Sequence, residues 1–241
     1  GFGSSWDDRG MIGGARGFAL IFSALTLAMV LQVWAWGSGW AAIGLWPAAG
    51  TAIIALAYAG EHPRLLGKGD DGRIAIWSWV LGLPVHAFSA LIWRLQRAGG
   101  EDFANEVAPG IWVGRRPLQS DLQDHEFATI VDLTAEFAAV SAERDHPGYR
   151  CLPILDGTLP QGEALRAIVE PLVDAPDPVL VHCAVGHGRS AGIAAALALA
   201  RGHHGDPQQA IAAMQKARPR IRLRKQQRER LERWFATLPR A

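Results

Sequence analysis

The stretch Val179-Leu180-Val181-His182-Cys183-Ala184-Val185-Gly186-His187-Gly188-Arg189-Ser190 runs directly into an alanine-rich segment, 191–200. A short β-branched run, a glycine-bearing turn and a series of good helix formers predict a strand, loop and helix in succession. Cys183 falls at the strand's C-terminal end, with Arg189 and Ser190 at the helix's start. A loop of this kind can turn its backbone N–H groups inward while the helix adds the positive end of its dipole, which makes an anion cradle. Gly186 and Gly188 permit the backbone angles and close approach that the loop needs. A thiol there is expected to be acidic, because helix N-termini and neighbouring cations lower a cysteine pKa from ~8.5 into the range ~3.5–7.5. The thiolate is then a nucleophile at neutral pH. Arg189 can grip two oxygens of a phosphoryl group in a bidentate fork, which lysine cannot do. The Ser190 hydroxyl, beside the sulfur, can stabilise the thiolate as a leaving group when a phosphocysteine breaks down.

The run 182–190 resembles the His-Cys-x5-Arg-Ser/Thr signature of the cysteine-based protein tyrosine and dual-specificity phosphatases, and the resemblance extends over roughly 106–235. It implies an α/β domain of the dual-specificity-phosphatase type, a mainly parallel sheet flanked by helices. It implies a phosphate-binding loop made of Ala184, Val185, Gly186, His187, Gly188 and Arg189, with phosphate or vanadate as site ligands. It also implies that His182 supports the thiolate through hydrogen bonds. The reaction of this family needs no cofactor, and no set of residues in the sequence is spaced as a metal site.

Displacing an alkoxide requires a proton donor. Asp156 is the best candidate: it follows the apolar run Leu152-Pro153-Ile154-Leu155 and opens Asp156-Gly157-Thr158-Leu159-Pro160, 27 positions before Cys183. Dual-specificity phosphatases place their general acid on a loop near this position, although an aspartate before glycine is also an ordinary turn residue. Asp132 is the reserve acid; its run, Val131-Asp132-Leu133-Thr134-Ala135-Glu136, resembles a structural strand and turn of the same family. Phosphoinositide 3-phosphatases often carry lysines in the phosphate loop, where this chain has Ala184, Val185 and His187. That departure favours a substrate with one accessible phosphomonoester.

The formal charge of +1 over 241 residues conceals a strong asymmetry. Residues 17–60 contain no Asp, Glu, Lys or Arg, whereas 216–241 hold ten of the 24 basic residues. The two halves therefore read as two domains. Two cysteines in a chain of this length argue against a disulfide scaffold and for a reducing compartment. Cys151, at the start of an apolar run, reads as a core residue. Residues 1–16 read as a leader or cloning remnant, with Met11 a candidate native start.

Residues 17–36 and 40–60 are each apolar for about 20 residues, enough to cross a ~30 Å hydrocarbon core, and are joined by Gly37-Ser38-Gly39 into a transmembrane hairpin. Seven of the ten tryptophans lie between Trp34 and Trp93, as in the aromatic belts of membrane interfaces. Residues 74–93 are long enough to span but contain Gly82, Pro84 and His86. They form a third span, a re-entrant segment or an interfacial helix. Two crossings put Arg9, Arg16, Arg64, Lys68, Arg73, Arg94 and Arg97 on one side, as the positive-inside rule requires, so two spans are preferred. The chain then reads as an integral protein of a bacterial inner membrane, with the bilayer as partner and a cytoplasmic catalytic domain.

Residues 98–105 read as a linker and 106–241 as the catalytic domain. Strands are predicted over 111–114, 128–133, 149–155 and 178–182. Helices are predicted over 119–127, with Ser120 as N-cap, and over 161–173, 190–201, 206–217 and 223–237. Strands alternating with helices imply a mainly parallel sheet covered on both faces, with ligands beyond the strands' C-terminal ends. His203 and His204 are expected in an exposed turn. Residues 218–233 hold eight basic against two acidic residues. They read as a solvated helix face or as a contact for anionic headgroups. Nucleic acid is not expected, because no recognition fold accompanies the charge.

These features converge on a membrane-bound phosphomonoesterase with a phosphocysteine intermediate. A phospholipid such as phosphatidylglycerophosphate is the preferred substrate, since the Leu-Asp-Gly-Thr-Leu-Pro loop is similar to that of the mitochondrial phosphatidylglycerophosphate phosphatases. The alternatives are a membrane-tethered phosphatase acting on phosphoproteins and an inactive phosphate-binding adaptor.

Overall fold

A computed structural model describes residues 14–37, 39–97 and 100–238. Almost all of the expected leader, Ser38 of the expected turn, and Ala98 and Gly99 of the expected linker lie outside the described residues. Three helices come first: α1 (Ala15–Trp36), α2 (Leu45–Gly60, preceded by a 3-10 turn over Gly39–Gly44) and α3 (Ile76–Arg97, with Pro84 inside it). All three are long and apolar enough to cross a membrane. Their outward side chains remain uncovered: Leu20 is 71% exposed, Trp34 82%, Leu56 64% and Phe88 63%. Water does not tolerate so broad an apolar surface, and lipid does.

α1 and α2 form an antiparallel hairpin. Phe18 packs on Tyr58 with ring centroids 5.0 Å apart, and the hydroxyls of Thr26 and Thr51 meet at 2.8 Å. The loop after α2 does not trail into solvent. Lys68 is buried, and its ammonium donates to Asp132 Oδ2 and to the carbonyl and hydroxyl of Thr134. Glu61 pairs with Arg230 at 2.6 Å, and Ala139 N–H donates to the Gly72 carbonyl at 2.9 Å. α3 is fastened at both ends. Near its start the Ser78 hydroxyl donates to the Leu66 carbonyl at 2.7 Å, and near its end Trp93 Nε1 donates to the Ala184 carbonyl at 3.0 Å.

The C-terminal half is an α/β layer structure. Strands β1 (Ala104–Ala108), β2 (Ile111–Arg115), β3 (Thr129–Thr134), β4 (Tyr149–Ile154) and β5 (Val179–Cys183) form one sheet in the order β1-β2-β5-β3-β4. Only β1 runs antiparallel to its neighbour. β5 is central and wholly buried, as its unbroken apolar run requires. After the short α4 (Ser141–Arg144) come α5 (Glu163–Val173), α6 (Arg189–Ala200), α7 (Pro207–Ala217, with Asp206 as N-cap) and α8 (Lys225–Phe235).

Strand alternation sorts the core. Val179, Val181 and Cys183 face the layer of α5 to α8, with Leu165, Leu197, Met214 and Leu231. Leu180 faces the other way, against Phe103, Phe127 and Ile130. The sheet was expected to be covered on both faces by helices. The second face carries the short α4, whose Glu143 meets His182, together with an aromatic cluster and the docked loop after α2.

Two further expectations are corrected. Residues 119–127 form turns and no helix. The Asp121 carboxylate accepts from the Arg115 guanidinium at 2.8 and 3.0 Å and from the Leu118 N–H at 2.6 Å. Local side-chain bonds of this kind compete with the helix for backbone groups. β1 begins at Ala104, inside the expected linker range, and Ala104 and Asn105 pair with β2. The basic run 218–233 is not a uniformly solvated face either. Arg218 and Arg230 are buried, and Arg224 lies over the Phe18 ring at 5.2 Å.

Lys68→Ala leaves the Asp132 carboxylate buried without its cation, and removing one partner of a buried pair typically costs ~3–5 kcal/mol. Thermal or denaturant unfolding in detergent micelles is expected to show a loss of that order, with the double variant Lys68→Met/Asp132→Leu recovering much of it. A loss below about 1 kcal/mol, the size of a surface pair, would mean that the loop is not fastened by this contact.

Candidate active site

β5 delivers Cys183 to the C-terminal edge of the sheet, and α6 begins at Arg189 after five intervening residues. The thiol is 2% exposed. Gly186 N–H donates to its Sγ at 3.3 Å, and Ser190 Oγ lies 3.4 Å from the sulfur. Burial alone would push the thiol's pKa up. The Arg189 charge and the hydrogen bonds from Ser190 and Gly186 outweigh burial, and the net shift is downward.

The loop's carbonyls are drawn outward. Ala184 O accepts from Arg116 N–H and Trp93 Nε1, Val185 O from the Arg218 guanidinium, and His187 O from Arg222 N–H. Turning the C=O groups outward turns the intervening N–H groups toward the centre, where an anion would sit. Gly186 has φ +82°, and a Cβ there would come within 2.8 Å of the Gly114 backbone, so only glycine closes the loop.

Arg189 is 1% exposed and held from one edge. Nη1 donates to Glu136 Oε2 at 2.8 Å and to the Ile154 carbonyl at 3.0 Å, and Nη2 donates to Glu136 Oε1 at 2.6 Å. Nε has no partner among the described residues. The guanidinium is locked by a carboxylate along one side and keeps a free donor on another, the geometry that an incoming phosphoryl oxygen needs. Glu136 carried no role in the sequence reading. Its position, just past the C-terminal end of a strand adjacent to β5, is the signal that could have found it.

Asp156 lies on the same side. Its Oδ1 is 3.2 Å from Arg189 Nη2, and its side chain is 61% exposed. Its loop is held from two directions. The Tyr58 hydroxyl of α2 donates to the Asp156 carbonyl at 3.0 Å. Within α8, Gln227 donates to the Thr158 carbonyl at 3.0 Å and Arg230 to the Leu159 carbonyl at 2.6 Å.

The structure therefore brings Cys183, Arg189, Ser190, the loop 184–188 and Asp156 together. It keeps two other sequence candidates away. Asp132 lies on the opposite face of the sheet, 1% exposed and bonded to Lys68, Thr134 and Tyr149. Burial would raise its pKa, but the charges of His182 and Lys68 prevail and hold it below the usual carboxylate range. His182 precedes Cys183 on an extended strand, so its ring points to that same opposite face. It pairs with Glu143 at 2.7 Å, and Asp132 lies 3.9 Å away. Among the described residues the His182 ring faces Glu143 and Asp132 rather than the sulfur. His187 turns out of the loop toward Glu101 at 2.7 Å. Asp132, Glu143 and His182 have ligand chemistry and lie within 4.8 Å of one another, a grouping invisible in the sequence. The Lys68 ammonium already sits against this group. Cys151 is buried in β4, and burial raises its thiol pKa. His203 is exposed, as expected, and His204 is half-buried.

No protein-family model matches the chain, and no curated protein matches it either. Several solved structures are similar to it. PTPMT1 in complex with PI(5)P is 22% identical, covers 56% of this chain and 96% of its own, and superposes with a TM-score of 0.47. Tk-PTP in the active form is 25% identical, covering 56% and 98%, with a TM-score of 0.49. Human DUSP28 is 19% identical, covering 56% and 95%, with a TM-score of 0.46.

The lowered thiol makes a testable pH profile. A depressed pKa keeps the thiolate present below the ordinary thiol range and loses it only as pH falls through the lowered value. Iodoacetamide alkylation of Cys183 is expected to stay fast well below pH ~8.5, the free-cysteine value. Ser190→Ala removes a stabilising hydroxyl and is expected to move the midpoint upward. An unmoved midpoint would deny Ser190 that contact.

Proposed function

We propose that this chain is a membrane-bound phosphomonoesterase that works through a phosphocysteine intermediate and acts on a phospholipid carrying one terminal phosphate. The observation that carries the reading is the single concave site shared by an acidified thiol, a locked guanidinium with a free Nε, and the exposed carboxyl of Asp156.

The phosphoryl group enters the loop, and its non-bridging oxygens take the loop N–H groups and Arg189. Cys183 Sγ attacks phosphorus; the P–S bond forms as the ester P–O bond breaks. Asp156, protonated at the start of this step, gives its proton to the departing alkoxide. In the second step the Asp156 carboxylate takes a proton from water, the water oxygen bonds to phosphorus, and the P–S bond breaks. Ser190 supports the thiolate as it leaves. The net reaction consumes one water and yields an alcohol and inorganic phosphate.

Two features favour a lipid. The acid loop is hydrogen-bonded to Tyr58 near the end of an apolar helix of spanning length, so the site stands at the edge of the hydrocarbon. Arg189 is the only Lys or Arg among the described residues lining the groove over the site, which suits a single phosphate. The topology belongs to the same proposal: α1 and α2 cross, and α3 lies along the interface. The start of α3 is tied to Leu66 in the docked loop after α2 and its end to Ala184 of the phosphate loop, whereas a crossing helix carries its ends to opposite sides of ~30 Å of hydrocarbon.

Cys183→Ser is expected to abolish turnover while phosphate or vanadate still binds, because the cradle is backbone and Arg189. Asp156→Asn is expected to slow an alkyl phosphate by about 10²–10⁴-fold and an aryl phosphate far less, since only the alkoxide needs the proton. Equal losses on both esters would remove Asp156 from the acid's role, and faster release of phosphate from phosphopeptides than from lipids would remove the lipid. Topology is read separately by thiol labelling of intact cells or oriented vesicles. Gly39→Cys is expected to label from the face opposite the catalytic domain and Asp71→Cys from the same face; labelling of both from one side would overturn the two-span arrangement.

A further inference from the structure

We infer that the groove between α2 and α3 binds the hydrocarbon tail of the substrate, so that the membrane helices form part of the binding site; this rests on the lipid reading above. The groove encloses about 330 Å³ and reaches from between the helices down to Glu136, Asp156 and Arg189. Its α3 wall is made by Ser78, Gly82, Val85, Ser89, Ile92 and Gln96, positions three or four apart that share one helical face. Opposite them stand Ile53 and Ile54 of α2, with Phe18 and Phe22 of α1 behind.

The ends of the groove are defined by contacts. At one end α2 and α3 close together: a Cβ on Gly50 would lie 3.1 Å from the Leu81 carbonyl and 3.4 Å from Val85. At the other, Trp93 is pinned by its bond to Ala184 O, with the Arg116 guanidinium 5.2 Å over its ring. An anionic end and an apolar body thus have one continuous path, from the donors at Arg189 to the cleft between the helices. At ~30 Å³ for a water-sized volume, the groove holds about ten such units. That suits the glycerol unit and the first part of one chain, with the remainder of the chain leaving through the open side of the groove into the bilayer. A peptide would bring many backbone N–H and C=O groups into a groove whose polar α3 side chains, Ser78, His86, Ser89 and Gln96, are too few to pair them all, and each unpaired group carries a desolvation cost. Hydrocarbon carries none.

Ser89→Trp fills the groove at mid-height without touching the phosphate cradle. Hydrolysis of dioleoyl and dihexanoyl phosphatidylglycerophosphate in mixed micelles, and of a soluble aryl phosphate, is measured for the full-length protein and this variant. The unaltered protein is expected to favour the long-chain lipid by kcat/KM. Ser89→Trp is expected to reduce that preference about tenfold or more, the discrimination that an apolar pocket supplies, while aryl phosphate hydrolysis falls far less. An undiminished long-chain preference in Ser89→Trp would overturn the assignment. If all activities fall together, the fold is suspect, and photo-crosslinking of a diazirine-tailed phosphatidylglycerophosphate to the unaltered chain decides. Adducts on Ile53, Val85 or Ile92 support the tail site; adducts confined to the outward residues Leu56, Leu91 and Leu95 overturn it. The phosphatase reading fails differently: the unaltered chain would then release phosphate from none of the esters, whatever the adducts show.

Discussion

A charge removed from water must find its counter-charge, and each of the four buried Lys and Arg side chains among the described residues finds it across a junction. Lys68 joins the loop after α2 to the sheet through Asp132. Arg189 joins the phosphate loop to the residues after β3 through Glu136. Arg218 joins the end of α7 to the entry of β1 through Glu101 and Asn105. Arg230 joins α8 to the end of α2 through Glu61. None of these pairs is a cheap surface decoration. Breaking one leaves an uncompensated buried charge, which makes the relative placement of the parts specific as well as stable. The three apolar helices and the α/β layer are thereby held in one arrangement.

That arrangement matters for the chemistry because the site is assembled from both parts. A buried thiol would normally be a poor acid. Here Arg189 at the start of α6 reverses the effect of burial, and Glu136 fixes Arg189 from behind. The two carboxylates around the guanidinium differ in exposure and so in what they can do. Glu136 is bidentate and largely covered, which suits a fixed brace. Asp156 is mostly exposed and touches Arg189 by one oxygen, which suits a group that exchanges protons with substrate and water. The acid loop also rests on Tyr58, so the catalytic layer alone lacks one of its supports.

α3 shows how one sequence can satisfy two surroundings. Its outward residues, Leu83, Leu91 and Leu95, are exposed apolar side chains suited to lipid. Its inner face carries small and polar residues that line the groove over the site. A helix that simply crossed the bilayer would have no reason to return Trp93 to the phosphate loop. The bond from Trp93 to Ala184 O also helps turn that loop's carbonyls outward, so α3 contributes to the shape of the loop after Cys183.

What lay close together in the chain was legible from the residues alone. The strand, loop and helix from Val179 onward, with Cys183, Arg189 and Ser190 in their places, follows from β-branched periodicity, two glycines and an alanine run, all local signals. The apolar lengths of α1, α2 and α3 were equally plain, and Asp156 stood out as a carboxylate on a glycine turn after a buried strand. Residues 119–127 misled because Asp121 is captured by Arg115 from β2, a competitor that helical periodicity does not register. The face that His182 serves was not legible from its neighbour, because adjacency in sequence becomes opposition across a strand, which sends Cys183 to one face and His182 to the other. Glu136, Lys68, Tyr58 and Trp93 had no local signature at all. Their partners lie 53, 64, 98 and 91 positions away. Sequence determined the strand, loop and helix that carry Cys183 and Arg189 and the membrane-length helices, since each depends on residues within a few turns of one another. Tertiary structure decided which carboxylate braces the arginine, which face His182 serves and where the helices meet the site, because buried charges and hydrogen-bond donors are satisfied only by groups that folding brings from far along the chain.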